Sequence, residues 1–228
     1  MRNQVKINQW LKERNLVCEE NFGESLYNLA LEYSEKNQVT LESVWKELGV
    51  TKQNINYWRY HDQSLTTQLM SKRMAILNAE SLFQLSISQR DDLATRAGLS
   101  VLDSADTKKS NIKFSHLFAE KLISWNDKPS RLYQSLGIDK TTFYRIKSGV
   151  SLRKDTLIIL FILMDFTSDE IKEYLKIAGY TLSQSIPREI IISWLLEKDL
   201  KSTIGEKCLE QINHLLYDLE LPLLQTRK

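Results

Sequence analysis

Apolar residues recur three and four positions apart along most of the chain, the spacing that lets a helix bury one stripe of its surface. Ile7, Trp10 and Leu11 share one face of a leading helix from Val5 to Arg14. Leu132, Tyr133 and Leu136 make a second such stripe. The run from Leu157 to Met164 is the most apolar of all, and the closing segments, Ile190 to Leu200 and Cys208 to Leu219, are apolar on more than one side. Leu209, Ile212, Leu215, Leu216 and Leu219 read as core, with a dimer surface as the alternative. Polar stretches separate these runs, and 7 Gly with 3 Pro is sparse punctuation for 228 residues. The expected fold class is all-α.

The pattern is written twice. Residues 43–59 align with residues 131–147, so that Leu48-Gly49-Val50 falls on Leu136-Gly137-Ile138 and Lys52 on Lys140. Each copy leads into an amphipathic run ending in Ala-Gly, at Ala97-Gly98 and Ala178-Gly179. The first copy is the longer, with its extra residues between Arg59 and Ala75. A helix, a glycine turn and a second helix, repeated, predict two tandem helix-turn-helix domains, 1–110 and 111–228. The first carries the N-terminal helix and the second the C-terminal amphipathic helices. Ser100 to Ile112 is polar and short-chained and is the best linker candidate, although it aligns with Thr181 to Ile190 after the second Ala-Gly. Pro187 is suited to open a helix.

Within the second copy, Gly137 supplies the positive φ of a tight turn, Ile138 plugs the corner and Asp139 caps the next helix. Phe143 and Ile146 face inward, which leaves Lys140, Thr141, Thr142, Tyr144 and Arg145 outside. Short polar and basic groups at the start of a helix are what reaches base edges in a major groove. Arg131, Arg153 and Lys154 are placed to hold phosphate. In the first copy Val44, Trp45 and Leu48 pack, Gly49 turns, Val50 plugs the corner, Thr51 caps, and Ile55 and Trp58 face inward. Lys52, Gln53, Asn54, Asn56 and Tyr57 then stand on the outer face; Gln and Asn can bond adenine at two points.

The segment "LGIDKTTFYRIKSG" followed by "RKDTLIILFILMDFTSDEIKEYLKIAG" resembles the Cro/repressor-type (XRE-type) helix-turn-helix domain. Both halves also resemble a group of small Gram-positive helix-turn-helix proteins, through "LALEYSEKNQVTLESVWKELGVTKQNINYWR", "AGYTLSQS", "IIISWLLEKDL" and "LEQINHLLYDLELPLL". Together these pieces cover most of the chain. The resemblance implies binding of double-stranded DNA and control of transcription. One feature departs from the pattern: the small residue usual four before the turn glycine is replaced by Trp45 and Tyr133.

Charge sharpens the picture. The formal net charge is only +2, but the positives are gathered. Lys128 to Lys154 holds seven positive side chains against the single Asp139, whereas Glu13 to Glu47 and Asp169 to Glu220 are net acidic. Such clustering is the electrostatic footprint of phosphate binding. Cys18 and Cys208 are far apart, as free thiols in a reducing compartment would be, and His61, His116 and His214 show no metal-ligand spacing. No apolar stretch reaches membrane-spanning length, and the N-terminus lacks a signal-peptide core. No phosphate-cradling glycine loop, His-x-x-x-His pair or nucleophile elbow is present.

The expectation is a cytoplasmic bacterial or phage regulator, a repressor, with no cofactor, no metal, no enzymatic activity and no membrane partner. Its partner is duplex DNA, with a homodimer and a protein partner as further possibilities. The competing expectation is a protein-interaction module, an antirepressor or anti-defence factor on a helix-turn-helix scaffold. The bulky Trp45, Tyr133 and Trp58 and the near-neutral charge favour it.

Overall fold

A computed structural model describes residues 2–61, 69–100, 104–125, 129–138, 140–147, 153–199, 203 and 205–225. Every regular element among them is helical. The chain divides into two compact units, and neither is contiguous in sequence. One comprises Trp10–Val101 with Thr181–Ile190; the other comprises Met1–Gln9, Leu102–Tyr180 and Ile191–Lys228. The leading helix, α1 (Arg2–Glu13), buries Ile7, Trp10 and Leu11, as its periodicity predicts.

The first unit is organised on α2 (Phe22–Asn37), which packs against α3 (Leu41–Glu47), α4 (Lys52–His61), α5 (Leu69–Phe83) and α6 (Ile87–Arg96). Asn21 caps α2 by accepting from the Glu24 amide at 2.9 Å, and Ser86 with Gln89 closes a reciprocal cap on α6. Phe22, Leu26 and Ala30 are the inward stripe of α2. Thr181–Ile190 completes the unit through hydrogen bonds. The Thr181 amide donates to the Gly98 carbonyl (3.2 Å), and the Ser183 and Ser185 hydroxyls both donate to the Arg96 carbonyl (2.9 and 3.0 Å). Serines at 183 and 185 thus satisfy the open end of α6.

The second unit begins with α7 (Ser104–Ser124), which packs on α9 (Lys140–Lys147) and α11 (Ser168–Ile177). The expected linker therefore becomes mostly helix. Between Ser104 and Ile112 there is neither Gly nor Pro, and Ala and Lys carry good helix propensity, so polarity alone does not stop the helix. The short α8 (Pro129–Ser135) rests on α9, and α10 (Lys154–Leu163) packs on α11 and on α13 (Gly205–Asp218). Pro187 does open a helix, α12 (Pro187–Trp194), which continues into a π-helical turn over Leu195–Asp199. Phe114, Phe118, Phe161, Phe166 and Tyr174 interlock at the centre, with Phe166 and Tyr174 edge to face at 4.8 Å. Of the C-terminal apolar positions, Ile212, Leu216 and Leu219 are buried, while Leu209 and Leu215 are partly exposed.

Candidate nucleic-acid interface

The two glycine turns have one geometry. After α3, the Gly49 amide donates to the Lys46 carbonyl and the Val50 amide to the Trp45 carbonyl, at 3.1 and 3.0 Å. After α8, Gly137 donates to Gln134 and Ile138 to Tyr133, at 2.9 and 3.0 Å. The glycine φ values are 68° and 63°, so each turn is the left-handed cap that an L side chain resists. Leu48 and Leu136 are fully buried before the turns, and Val50 is buried after the first.

The inward residues of α4 are those its spacing selects: Ile55 and Trp58 are buried. Bulky Trp45 is accommodated as well, buried beside the Tyr27 ring at 6.0 Å. The close helix approach lies elsewhere. Gly23 on α2 sits against the backbone of Trp58, and Trp58 packs on Phe22 at 5.3 Å. Arg59 locks the same junction. Its guanidinium makes two bonds to the Glu24 carboxylate (2.7 and 3.1 Å) and lies 3.8 Å from the Tyr27 ring centre. The guanidinium pKa is held above its usual value, first by the hydrogen bond to Glu24. Nothing in the local sequence signals this pair, whose members are 35 residues apart.

On the outer face of α4, Lys52, Gln53 and Asn56 are exposed. Asn54 is half-buried and is engaged in capping: its Oδ1 accepts from the Thr51 amide (3.2 Å) and hydroxyl (2.7 Å), while Thr51 Oγ1 accepts from the Asn54 amide (3.1 Å). Thr51 is the expected cap, and Asn54 is its reciprocal partner. On α9, Lys140, Thr141 and Tyr144 are exposed, with the Lys140 ammonium 5.8 Å from the Tyr144 ring centre. The side chains of Thr142 and Arg145 lie outside the described residues, as does Asp139. Arg131 on α8 is exposed, and Arg153 is exposed where it precedes α10. Lys154, expected to hold phosphate, is buried, with 5% of its surface exposed. It opens a helix whose following residues, Leu157 to Leu163, are all buried, and the fold draws the lysine stem in with them.

A groove of about 660 Å³ opens beside α4, walled by side chains of α2 and α3 as well. Lys52 and Asn56 of the outer face line it. Among the described residues, no group of three His, Cys, Asp or Glu is disposed to hold a metal ion, and no helix is long and apolar enough to cross a membrane. No protein-family model, curated protein or solved structure matches this chain.

Proposed function

We propose that this chain is a sequence-specific, duplex-DNA-binding transcriptional regulator, a repressor, built as a tandem pair of Cro/repressor-like helix-turn-helix units. The observation that carries the reading is the repeated turn. Two helix pairs share the Gly49 and Gly137 geometry, and each second helix directs lysine and short polar side chains outward from its first turns. The surrounding packing recurs too. The pairs α2 with α4, α2 with α6 and α5 with α6 have counterparts in α7 with α9, α7 with α11 and α10 with α11. In this reading α4 presents Lys52, Gln53 and Asn56 to base edges, while α9 presents Lys140, Thr141 and Tyr144, flanked by Arg131 and Arg153 on phosphate.

The test is retention on immobilised bulk duplex DNA at low salt. A DNA reader binds and elutes steeply as salt rises, because each phosphate contact releases counterions. Replacing Lys140 and Arg153 by Gln should flatten that dependence. Flow-through at low salt sinks the reading.

A second reading, a protein-interaction module, is favoured by one observation. Met70, Met74 and Leu77 form an exposed apolar stripe at helical spacing on α5. A pull-down that recovers a partner lost on Met74→Lys, together with absent DNA retention, would select it.

A further inference from the structure

The groove beside α4 has the composition of a small-molecule site. Its volume, about 660 Å³, falls within the range of ligand pockets. Half-buried Tyr27 and Leu41, with the buried Trp45, Val50 and Ile55, make its apolar lining, and Lys46, Lys52 and Asn56 provide polar groups. Lys46 and Lys52 are exposed, and among the described residues neither is engaged in an ion pair. Glu42 is the one carboxylate on the lining, so two ammonium groups stand against one negative charge. The first turn of α4 also opens on the groove through Thr51 and Lys52, adding the positive end of a ten-residue helix dipole. An apolar lining with a cationic rim suits an anionic ligand that carries an apolar body.

At the aligned positions the second unit keeps a lysine and a ring, Lys140 for Lys52 and Tyr133 for Trp45, and changes others. Gln134 replaces Lys46, and Phe143 and Tyr144 replace Ile55 and Asn56. Among the rings of the second unit, Tyr133 and Phe143 are 5.9 Å apart and Phe143 and Tyr144 6.1 Å apart.

We propose that this groove binds an aromatic carboxylate, and that occupancy competes with DNA for Lys52 and Asn56. The binding stands on the groove alone; the competition rests on the DNA-binding reading. The geometry makes the ligand an inducer: the lysine that would meet DNA is the lysine that holds the carboxylate.

The test uses the full-length chain, with 2-naphthoate as probe and 2-naphthamide as its neutral counterpart, followed by calorimetry. One saturable site is expected, with the amide at least tenfold weaker. Lys46→Gln with Lys52→Gln should weaken naphthoate about tenfold while circular dichroism stays unchanged, and Lys140→Gln should leave it unaltered. Equal affinity for acid and amide, no saturable binding, or indifference to the double substitution would each overturn the site. Naphthoate should then release a preformed DNA complex of the native chain; a complex that persists at saturating naphthoate overturns the competition. Naphthoate binding in a chain that never binds DNA would uphold the groove and refute the DNA-binding reading separately.

Discussion

A methyl group placed on Gly23 would lie 2.3 Å from the carbonyl carbon of Trp58 and 2.4 Å from the Arg59 nitrogen. The backbones of α2 and α4 therefore touch at this point, and only a residue without a Cβ permits the crossing. The small residue that lets helices approach in this unit is on α2, and Trp45 is free to fill the neighbouring core. Gly23→Ala should destabilise the first unit by about 3 kcal/mol, because the clash is with backbone and no side chain can swing aside. Urea unfolding measures it; a loss below about 0.5 kcal/mol would mean the crossing relaxes cheaply.

The Thr51–Asn54 pair makes a second prediction. Each side chain accepts from the other residue's backbone amide, so Thr51→Ala and Asn54→Ala should each lower stability by about 1 kcal/mol. Thermal unfolding without DNA reads the effect. If Asn54→Ala unfolds at the native temperature, the carboxamide contributes nothing to the cap and is available to a ligand.

These two sites show what a linear reading can reach. The glycine turns were legible, because Leu-Gly-Val and Leu-Gly-Ile recur and glycine takes a left-handed cap at no steric cost. The buried stripes of α1 and α4 followed from spacing. The Gly23–Trp58 crossing and the Arg59–Glu24 pair were not legible, since both join residues 35 apart whose meeting depends on the angle between α2 and α4. Lys154 misled for a related reason: a lysine at a helix start reads as surface, and its burial follows from α10 being covered on all sides. Asn54 was legible as polar and outward but not as a cap, because capping and base recognition ask for the same side chain. The exchange of Thr181–Ile190 into the first unit depends on bonds to Arg96 and Gly98, far away in sequence.

Burial and the nearby Asp165 push the Cys208 thiol up to about 11. Cys208 should therefore resist iodoacetamide at pH 8 in the folded chain, through lack of both thiolate and access. Cys18, whose residue is exposed, should be alkylated first although burial of its sulfur raises its pKa as well. Mass spectrometry over a time course separates the two; equal labelling rates would contradict the packing around α13.

Burial raises the Glu170 carboxyl, but hydrogen bonds from Lys121 (2.7 Å) and the Thr167 amide (2.8 Å) outweigh it and hold the pKa below the usual 4.5. A carboxyl depressed on folding stabilises fully above its unfolded pKa, and that stabilisation is lost as pH falls through the folded value. Stability should thus decline below about pH 4.5. Glu170→Gln should flatten that decline. Identical acid limbs for native chain and variant in urea titrations would show that the Lys121 contact carries no linkage.

The most direct measurement is binding to a labelled duplex from upstream of the chain's own gene, titrated against salt and random competitor DNA. The account predicts a complex that survives excess random DNA, weakens steeply with salt and is lost with Arg145→Ala. A complex dispersed by random DNA as readily as by the specific duplex, or none at low salt, would contradict sequence-specific DNA binding.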